Sequence, residues 1–309
     1  MFLSVVIPTY NRLPILQRCL GALERQQLDG EANGFEVVVV DDGSSDATVA
    51  TLERDAPHYP HLKLHRQDHG GAAVGRNRGV AEAQGDVIVF IDSDLVVLED
   101  FLACHARALR RRWQRDGHRR CFTYGAVINT SDFENPTAAS HKFTDLSWAY
   151  FATGNVAIDR DLLEAAGLFD SSFSLYGWED LELGERLRRM GVALVRCPEA
   201  VGYHWHPPFS LEQVPRLIRQ ERERARMGLV FLRKHPCWRV RCMIQYTPLH
   251  LLLWELLSLA GLLNERSLRP LLAWLIRRGH PGLALELLRL PLNLISVRTM
   301  FREARGRYA

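Results

Sequence analysis

Three short, largely apolar runs, each stopped by a polar turn, constrain this chain more than any other feature. Leu3 to Ile7 ends in Pro8-Thr9-Tyr10-Asn11-Arg12, Phe35 to Val40 ends in Asp41-Asp42-Gly43-Ser44-Ser45-Asp46, and Val87 to Ile91 ends in Asp92-Ser93-Asp94. Runs of this kind read as strands buried on both faces, as in parallel sheets. Helices are expected between them from Leu13 to Gln26 and from Asp46 to Asp55, with Ser45 or Asp46 capping the second. This βαβαβ opening delivers polar side chains to one sheet edge, where open α/β sheets bind ligands.

The residues at that edge suit a nucleotide diphosphate. Asp92 and Asp94 alternate by two, so on an extended backbone both carboxylates point the same way, an arrangement suited to a hard divalent cation that neutralises a diphosphate. Val201 to Pro208 offers His204 and His206, again two apart. An oxygen and nitrogen shell accepts Mn²⁺ readily, with Mg²⁺ as the alternative. The bland reading is that either histidine packs as a neutral partner of Trp205, and His206 is evenly balanced between the two roles. One carboxylate of the Asp41-Asp42 pair, turned into the sheet edge, can accept the imide N–H of uracil while the Tyr10 ring stacks on the base. In residues 69–79 (HGGAAVGRNRG) the glycines allow close backbone approach, and Arg76 or Arg78 suits a phosphate or a base edge. The spacing there is not Gly-x-Gly-x-x-Gly and no strand immediately precedes it, which argues against a dinucleotide site; no Walker-type loop occurs either.

Further along, Gly177-Trp178-Glu179-Asp180 sets an aromatic plate beside two carboxylates. Acidic residues in the first turn of a helix are ordinary, because they face the positive end of its dipole. The same cluster can also stack a sugar ring and remove a hydroxyl proton.

The blocks SVVIPTYNR, VVVVDDGSSDAT, GGAAVGRNRGVAEAQGDVIVFIDSDL and FATGNVAIDRDLLEAAGLFDSSFSLYGWEDLELGERLRRMG together resemble a family 2 glycosyltransferase of the GT-A fold. The last block is similar to the galactosyltransferase-type segment of chondroitin-type polymerases and β-1,4-galactosyltransferases. The resemblance covers residues 1 to about 210 and stops short of the last hundred residues. It implies that Asp94 ligates the metal, that Asp92 contacts the ribose or joins through water, and that His204, the histidine directly after a tyrosine, is a second ligand. It further implies that Asp42 contacts uracil, with Pro8 and Tyr10 flanking the ring, and that transfer proceeds with inversion. Uridine is then the favoured nucleotide.

Composition sets the outer bounds. A chain of 309 residues with 47% apolar character can bury one large core or a core with an appendage. Six cysteines without a Cys-x-x-Cys pair, and an N-terminus leading straight into a strand, are read as free thiols in a cytoplasmic setting. The net charge of +3 conceals an asymmetry, since residues 236–309 carry eleven arginines against four glutamates. Leucine-rich segments in that tail are too short to span a bilayer, so it is expected to lie on a membrane surface such as the inner face of the cell membrane, or else to pack as a helical bundle. Pro248, Pro270, Pro281 and Pro291 are expected to divide it into short helices. Alternation of arginines with bulky aliphatics argues against nucleic acid.

The reading is an α/β, Rossmann-like mixed sheet of GT-A type with a C-terminal helical extension. Its expected parts are a catalytic domain over 1–235, with a nucleotide half (1–95) and an acceptor half (96–210), and an extension over 236–309. Such an enzyme moves a sugar from a nucleotide-sugar donor to a saccharide or lipid-linked acceptor, with Asp180 as base and Glu179 and Trp178 orienting the acceptor. Two rivals are a sugar-nucleotide nucleotidyltransferase, which would need a Gly-rich basic loop after the first strand, and a non-catalytic nucleotide-sugar-binding protein at a membrane.

Overall fold

The three apolar runs form β1 (Phe2–Thr9), β2 (Gly34–Asp41) and, after β3 (Leu62–Arg66), β4 (Val87–Ile91) of a computed structural model that describes residues 1–140 and 149–305. These strands are mutually parallel. The intervening helices are α1 (Leu13–Leu23), α2 (Thr48–Asp55) and α3 (Ala72–Glu82). The N-cap of α2 is Ala47, not the expected Ser45 or Asp46, because the helix begins two residues later than expected; Asp46 Oδ1 still accepts from the Thr48 amide at 3.0 Å. Beyond β4 the chain adds β5 (Leu95–Val97), α4 (Phe101–Asp116), β6 (Cys121–Thr130), β7 (Asn155–Asp159), α5 (Arg160–Ala165), α6 (Glu179–Arg189) and β8 (Ala193–Trp205). The sheet has eight strands in the order β3-β2-β1-β4-β7-β6-β8-β5. β7 runs antiparallel to both β4 and β6, which makes the sheet mixed.

Alternation along each strand divides the core. Leu3, Val5 and Ile7 face Ile15, Leu16, Leu20, Phe101 and Leu102 of α1 and α4, whereas Val6, Val38 and Phe90 face Val80, Leu163, Leu183 and Leu187 of α3, α5 and α6. Both sheet faces are thus covered, as the continuous apolar runs require. A buried polar network crosses this core: His105 bonds Thr123 Oγ1 and Asn155 Oδ1 at 2.8 Å each, and Asn155 Nδ2 donates to the Ala126 and Ala200 carbonyls.

The chain groups into two compact units, one of residues 1–174 with 179–206, the other of residues 175–178 with 207–309. The division falls at 206/207, where an end of the catalytic part at 235 was expected, because α7 (Val214–Lys234) groups with the later helices. These are α8 (Trp238–Met243), α9 (Pro248–Leu257), α10 (Arg269–Arg277) and α11 (Pro281–Arg305). Pro248, Pro270 and Pro281 stand in first turns, where the missing N–H costs nothing. Pro291, expected as a further break, lies inside α11. It is buried next to Leu288 and Leu292 of the second unit's core, and that burial offsets the one backbone bond it removes.

Gly79 shows how tightly α3 sits on the sheet, since a Cβ there would lie 2.4 Å from Val6 Cγ1. Gly→Ala within a helix ordinarily stabilises by up to ~1 kcal/mol, but overpacking typically costs about 1–3 kcal/mol. The second effect dominates here, so Gly79→Ala should lower the urea midpoint. A midpoint at or above the parent's would show that α3 can move away from β1.

Candidate active site

The C-terminal ends of β1, β2 and β4 meet the start of α6 and the end of β8, and each functional side chain is placed by one of these elements. β8 pairs with β5 so that Leu95 lies opposite His204, and the Trp205 amide donates to the Asp94 carbonyl at 2.9 Å. On its other edge β8 pairs with β6, and the His206 amide donates to the Thr130 carbonyl. The two histidines, two residues apart, therefore project together, with ring centroids 4.0 Å apart. His204 Nε2 lies 2.9 Å from Asp94 Oδ1. One ligand atom from each of Asp94, His204 and His206 falls within 4.8 Å of the others.

This donor set fits a divalent cation: one buried carboxylate and two imidazoles converge from a rigid ladder, and the mixed shell suits Mn²⁺. The electrostatics agree. Burial works against ionisation of Asp94, yet the hydrogen bond and charge of His204, followed by Arg12, hold its carboxyl below the usual range. Burial likewise works against a charged His204, but Asp94 outweighs it and raises the imidazole above its ordinary value. His206 is pushed down to about 4 by burial and then by His204, which leaves it neutral with a free lone pair. Arg12 Nη1 donates to Asp94 Oδ2 at 3.0 Å. No spacing in the sequence ties Arg12 to Asp94.

A second charge cluster adjoins the first through Asp92. Arg76, 6% exposed, donates through Nη2 to Asp92 Oδ1 at 3.1 Å and through Nη1 to Glu179 Oε1 at 3.0 Å. Both terminal nitrogens, expected to hold a phosphate or a base edge, are thus engaged by carboxylates. Asp180 opens α6 and accepts from the Leu181 amide at 2.7 Å. Burial first, then the charge of Glu179, pushes its carboxyl up to about 7 against the opposing pull of Arg76. Asp92 and Glu179 thus share one guanidinium, whose charge also acts on Asp180.

Trp178 is the residue directly before α6. It belongs with the second unit, where its Nε1–H donates to the Arg224 carbonyl at 2.8 Å and the Arg224 guanidinium lies 4.7 Å over its ring. At 9% exposed it is not the open plate expected beside the carboxylates. Gly177 at φ 96° and Trp178 at φ 78° are consecutive left-handed residues, and this turn starts α6 at Glu179.

At the nucleotide end, Tyr10 is 46% exposed, with its ring 4.5 Å from that of His69, a neighbour that the sequence did not suggest. Pro8 is half-buried, and a Cβ on Gly75 would lie 3.2 Å from its Cβ, so α3 closes on it. Asp42 is occupied: Oδ1 accepts from Gln67 Nε2 at 2.7 Å and the Gly70 amide at 2.9 Å, and Oδ2 meets the Gly71 amide and His69 Nδ1, each at 2.9 Å. It holds the loop over 67–71 against β2. Thr9 Oγ1 and Asp41 Oδ1, at register-paired ends of β1 and β2, are buried with no partner among the described residues. The polar and aromatic mix of residues 122–148 suits an acceptor site, but residues 141–148 lie outside the described part.

The eight-stranded mixed sheet with helices on both faces has the GT-A fold. Residues 4–126 match the model described as glycosyl transferase family 2. The chain is 27% identical over 263 residues to the uncharacterized glycosyltransferase YfnE of Bacillus subtilis, covering 68% of this chain and 66% of that protein. It is 26% identical over 250 residues to chondroitin synthase of Pasteurella multocida, covering 69% of this chain but 26% of that protein. With validoxylamine A glucosyltransferase of Streptomyces hygroscopicus subsp. jinggangensis it shares 31% over 232 residues, 65% of this chain and 54% of that protein. The matched part therefore spans between about a quarter and two thirds of these relatives' lengths. A mannosyltransferase from Pyrobaculum calidifontis, in complex with GDP-Man and Mn²⁺, has the same fold at TM-score 0.55 and 22% identity, over 96% of this chain and 85% of that one.

The raised Asp180 has a consequence for stability. A folded pKa of about 7 against an ordinary 3.8 means that the folded state holds this proton more tightly, so the contribution is complete below 3.8 and is lost as pH rises through 7. Asp180→Asn should therefore melt higher than the parent at pH 8, with the difference closing toward pH 4. A variant less stable than the parent at pH 8 would contradict this.

Proposed function

We propose that this chain is a metal-dependent, inverting glycosyltransferase that moves a sugar from a uridine diphosphate sugar to a hydroxyl of a saccharide or lipid-linked acceptor. The carrying observation is that one sheet edge holds both the Asp94, His204 and His206 donor set and, across Asp92 and Arg76, a carboxyl poised near neutrality. Asp94, His204 and then His206 would hold the cation, which supplies charge neutralisation to the departing diphosphate. Asp92 is placed to meet the ribose or to join through water. Tyr10, with His69 behind it, presents a face to the base, and Asp42 acts by shaping the loop beneath it. The Mn²⁺ and nucleotide sugar named for the Pyrobaculum calidifontis mannosyltransferase accord with this reading.

Asp180 takes the proton from the acceptor hydroxyl as that oxygen bonds to the anomeric carbon and the bond from that carbon to the diphosphate breaks. A base whose pKa lies near working pH serves such a transfer well. Attack opposite the leaving group inverts the centre in a single displacement. Glu179, fixed by Arg76, orients the acceptor. Residues 236–309 would lie along a membrane surface rather than cross it; no helix among the described residues is long and apolar enough to span one.

With Mn²⁺ and a panel of UDP-sugars, the protein should release UDP from one of them. His204→Ala should abolish Mn²⁺-dependent turnover, while undiminished Mn²⁺-dependent turnover in that variant would remove His204 from the donor set and leave His206 as the imidazole ligand. Transfer to an acceptor should rise as pH passes through about 7, where Asp180 loses its proton. Asp180→Asn should retain donor binding and lose transfer by roughly 10²-fold or more, the usual scale for a general base. A flat pH profile together with near-parental transfer by Asp180→Asn would remove Asp180 from the role.

A further inference from the structure

α9 is a helix without a buried residue. Leu249, Leu252, Leu253 and Leu256, at spacings that share one helix face, are 73, 56, 44 and 65% exposed. The run continues through Leu257 and Leu259 to Leu262, itself 73% exposed, across a turn where Leu259 and Ala260 take left-handed backbone angles. Seven solvent-facing leucines within fourteen residues are far from the scattered single leucines of an ordinary surface. The helix is fastened to its own unit mainly by polar contacts: Trp254 Nε1 donates to Gln245 Oε1 at 2.6 Å, and Arg298 makes two bonds to Glu255 at 2.7 and 2.5 Å. Thr247 caps its start. These contacts fix the helix while leaving its leucines to water.

The flanks of this helix are basic. Arg239 and Arg241 precede it, and Arg266 and Arg269 follow it; all four are exposed, and none has a carboxylate partner among the described residues. Trp238 and Trp274, 69 and 47% exposed, belong to the helices on either side, and the Arg278 guanidinium stands 5.6 Å over Trp274. Leucines between arginines and exposed tryptophans match the layering of a bilayer interface, where acyl chains lie beneath anionic headgroups. At ten residues α9 is ~15 Å long, half of the ~30 Å hydrocarbon core, so it suits lying along the interface. A second copy of this chain would bring the same excess of arginine to the contact and is disfavoured by charge.

We propose that the leucine face of α9, with the turn reaching Leu262, is a wedge that seats the second unit in the interface of an anionic bilayer, the flanking arginines pairing with lipid phosphates. The proposal rests on the reading of residues 236–309 as membrane-facing and names the element that inserts. It also favours a lipid-linked acceptor, since the enzyme would then work where such an acceptor is held.

The test is co-sedimentation of the full chain with vesicles of phosphatidylcholine alone or mixed with phosphatidylglycerol. The parent should bind the mixed vesicles and be released by salt. Leu252→Glu with Leu256→Glu should weaken this binding by roughly tenfold or more, with unchanged circular dichroism and donor hydrolysis. Leu249→Ser with Leu262→Ser, at the two ends of the run, is a second and milder variant should the first misfold. Arg266→Glu with Arg269→Glu should abolish the preference for phosphatidylglycerol. If both leucine variants bind like the parent while the arginine variant does not, the wedge is refuted and the membrane reading survives through charge alone. If the parent ignores both kinds of vesicle and instead elutes as a dimer that the leucine variants disperse, the membrane reading fails as well and the face belongs to a second copy.

Discussion

The guanidinium of Arg76 is the contact on which the rest of the site depends. It is buried, and it holds Asp92 at the end of β4 and Glu179 at the start of α6 with separate nitrogens. Without it, Asp92, Glu179 and Asp180 would face one another as like charges in a partly desolvated place. Removing one partner of such a cluster is far more damaging than the net worth of the ion pairs suggests, because the remaining charges stay buried and uncompensated. Burial disfavours the charged guanidinium, but Asp92, Glu179 and Asp180 together raise its pKa above the ordinary value. Arg76 thus joins the end of β4 to the start of α6.

From that joint the division of labour follows. Arg76 draws Glu179 into an ion pair and leaves Asp180 as the carboxyl that burial keeps near neutrality. Asp94, two residues beyond Asp92, is drawn the other way, into His204 and Arg12, and stays ionised.

Much of this was legible in the residue order. Val87 to Ile91 is β4 as expected, and β1 and β2 differ from the expected runs by a few residues at their ends. The two-residue spacing of His204 and His206 already implied a shared face once both lay on or just beyond a strand. What the order could not carry was pairing at long range. Arg12 and Asp94 are 82 positions apart, and they meet because β4 is inserted beside β1. Asp42 looked like an open acceptor, but the loop over 67–71 returns along β3 and takes up its oxygens. Trp178 looked like a sugar platform until the left-handed turn at Gly177 and Trp178 put its ring among the helices of the second unit. Pro291 was expected to end a helix, and burial within its unit overrode the local signal.

The central claim is that Asp94 and the paired histidines hold the metal against a uridine diphosphate. Pulsed electron paramagnetic resonance of Mn²⁺ with the protein and UDP measures this directly. The account predicts nitrogen couplings from histidine imidazole and phosphorus couplings from the diphosphate on the same ion, with the nitrogen signal reduced in His204→Ala and the bound ion lost in Asp94→Ala. A Mn²⁺–UDP complex that forms on the protein with no imidazole nitrogen, or one that survives Asp94→Ala unchanged, would contradict it.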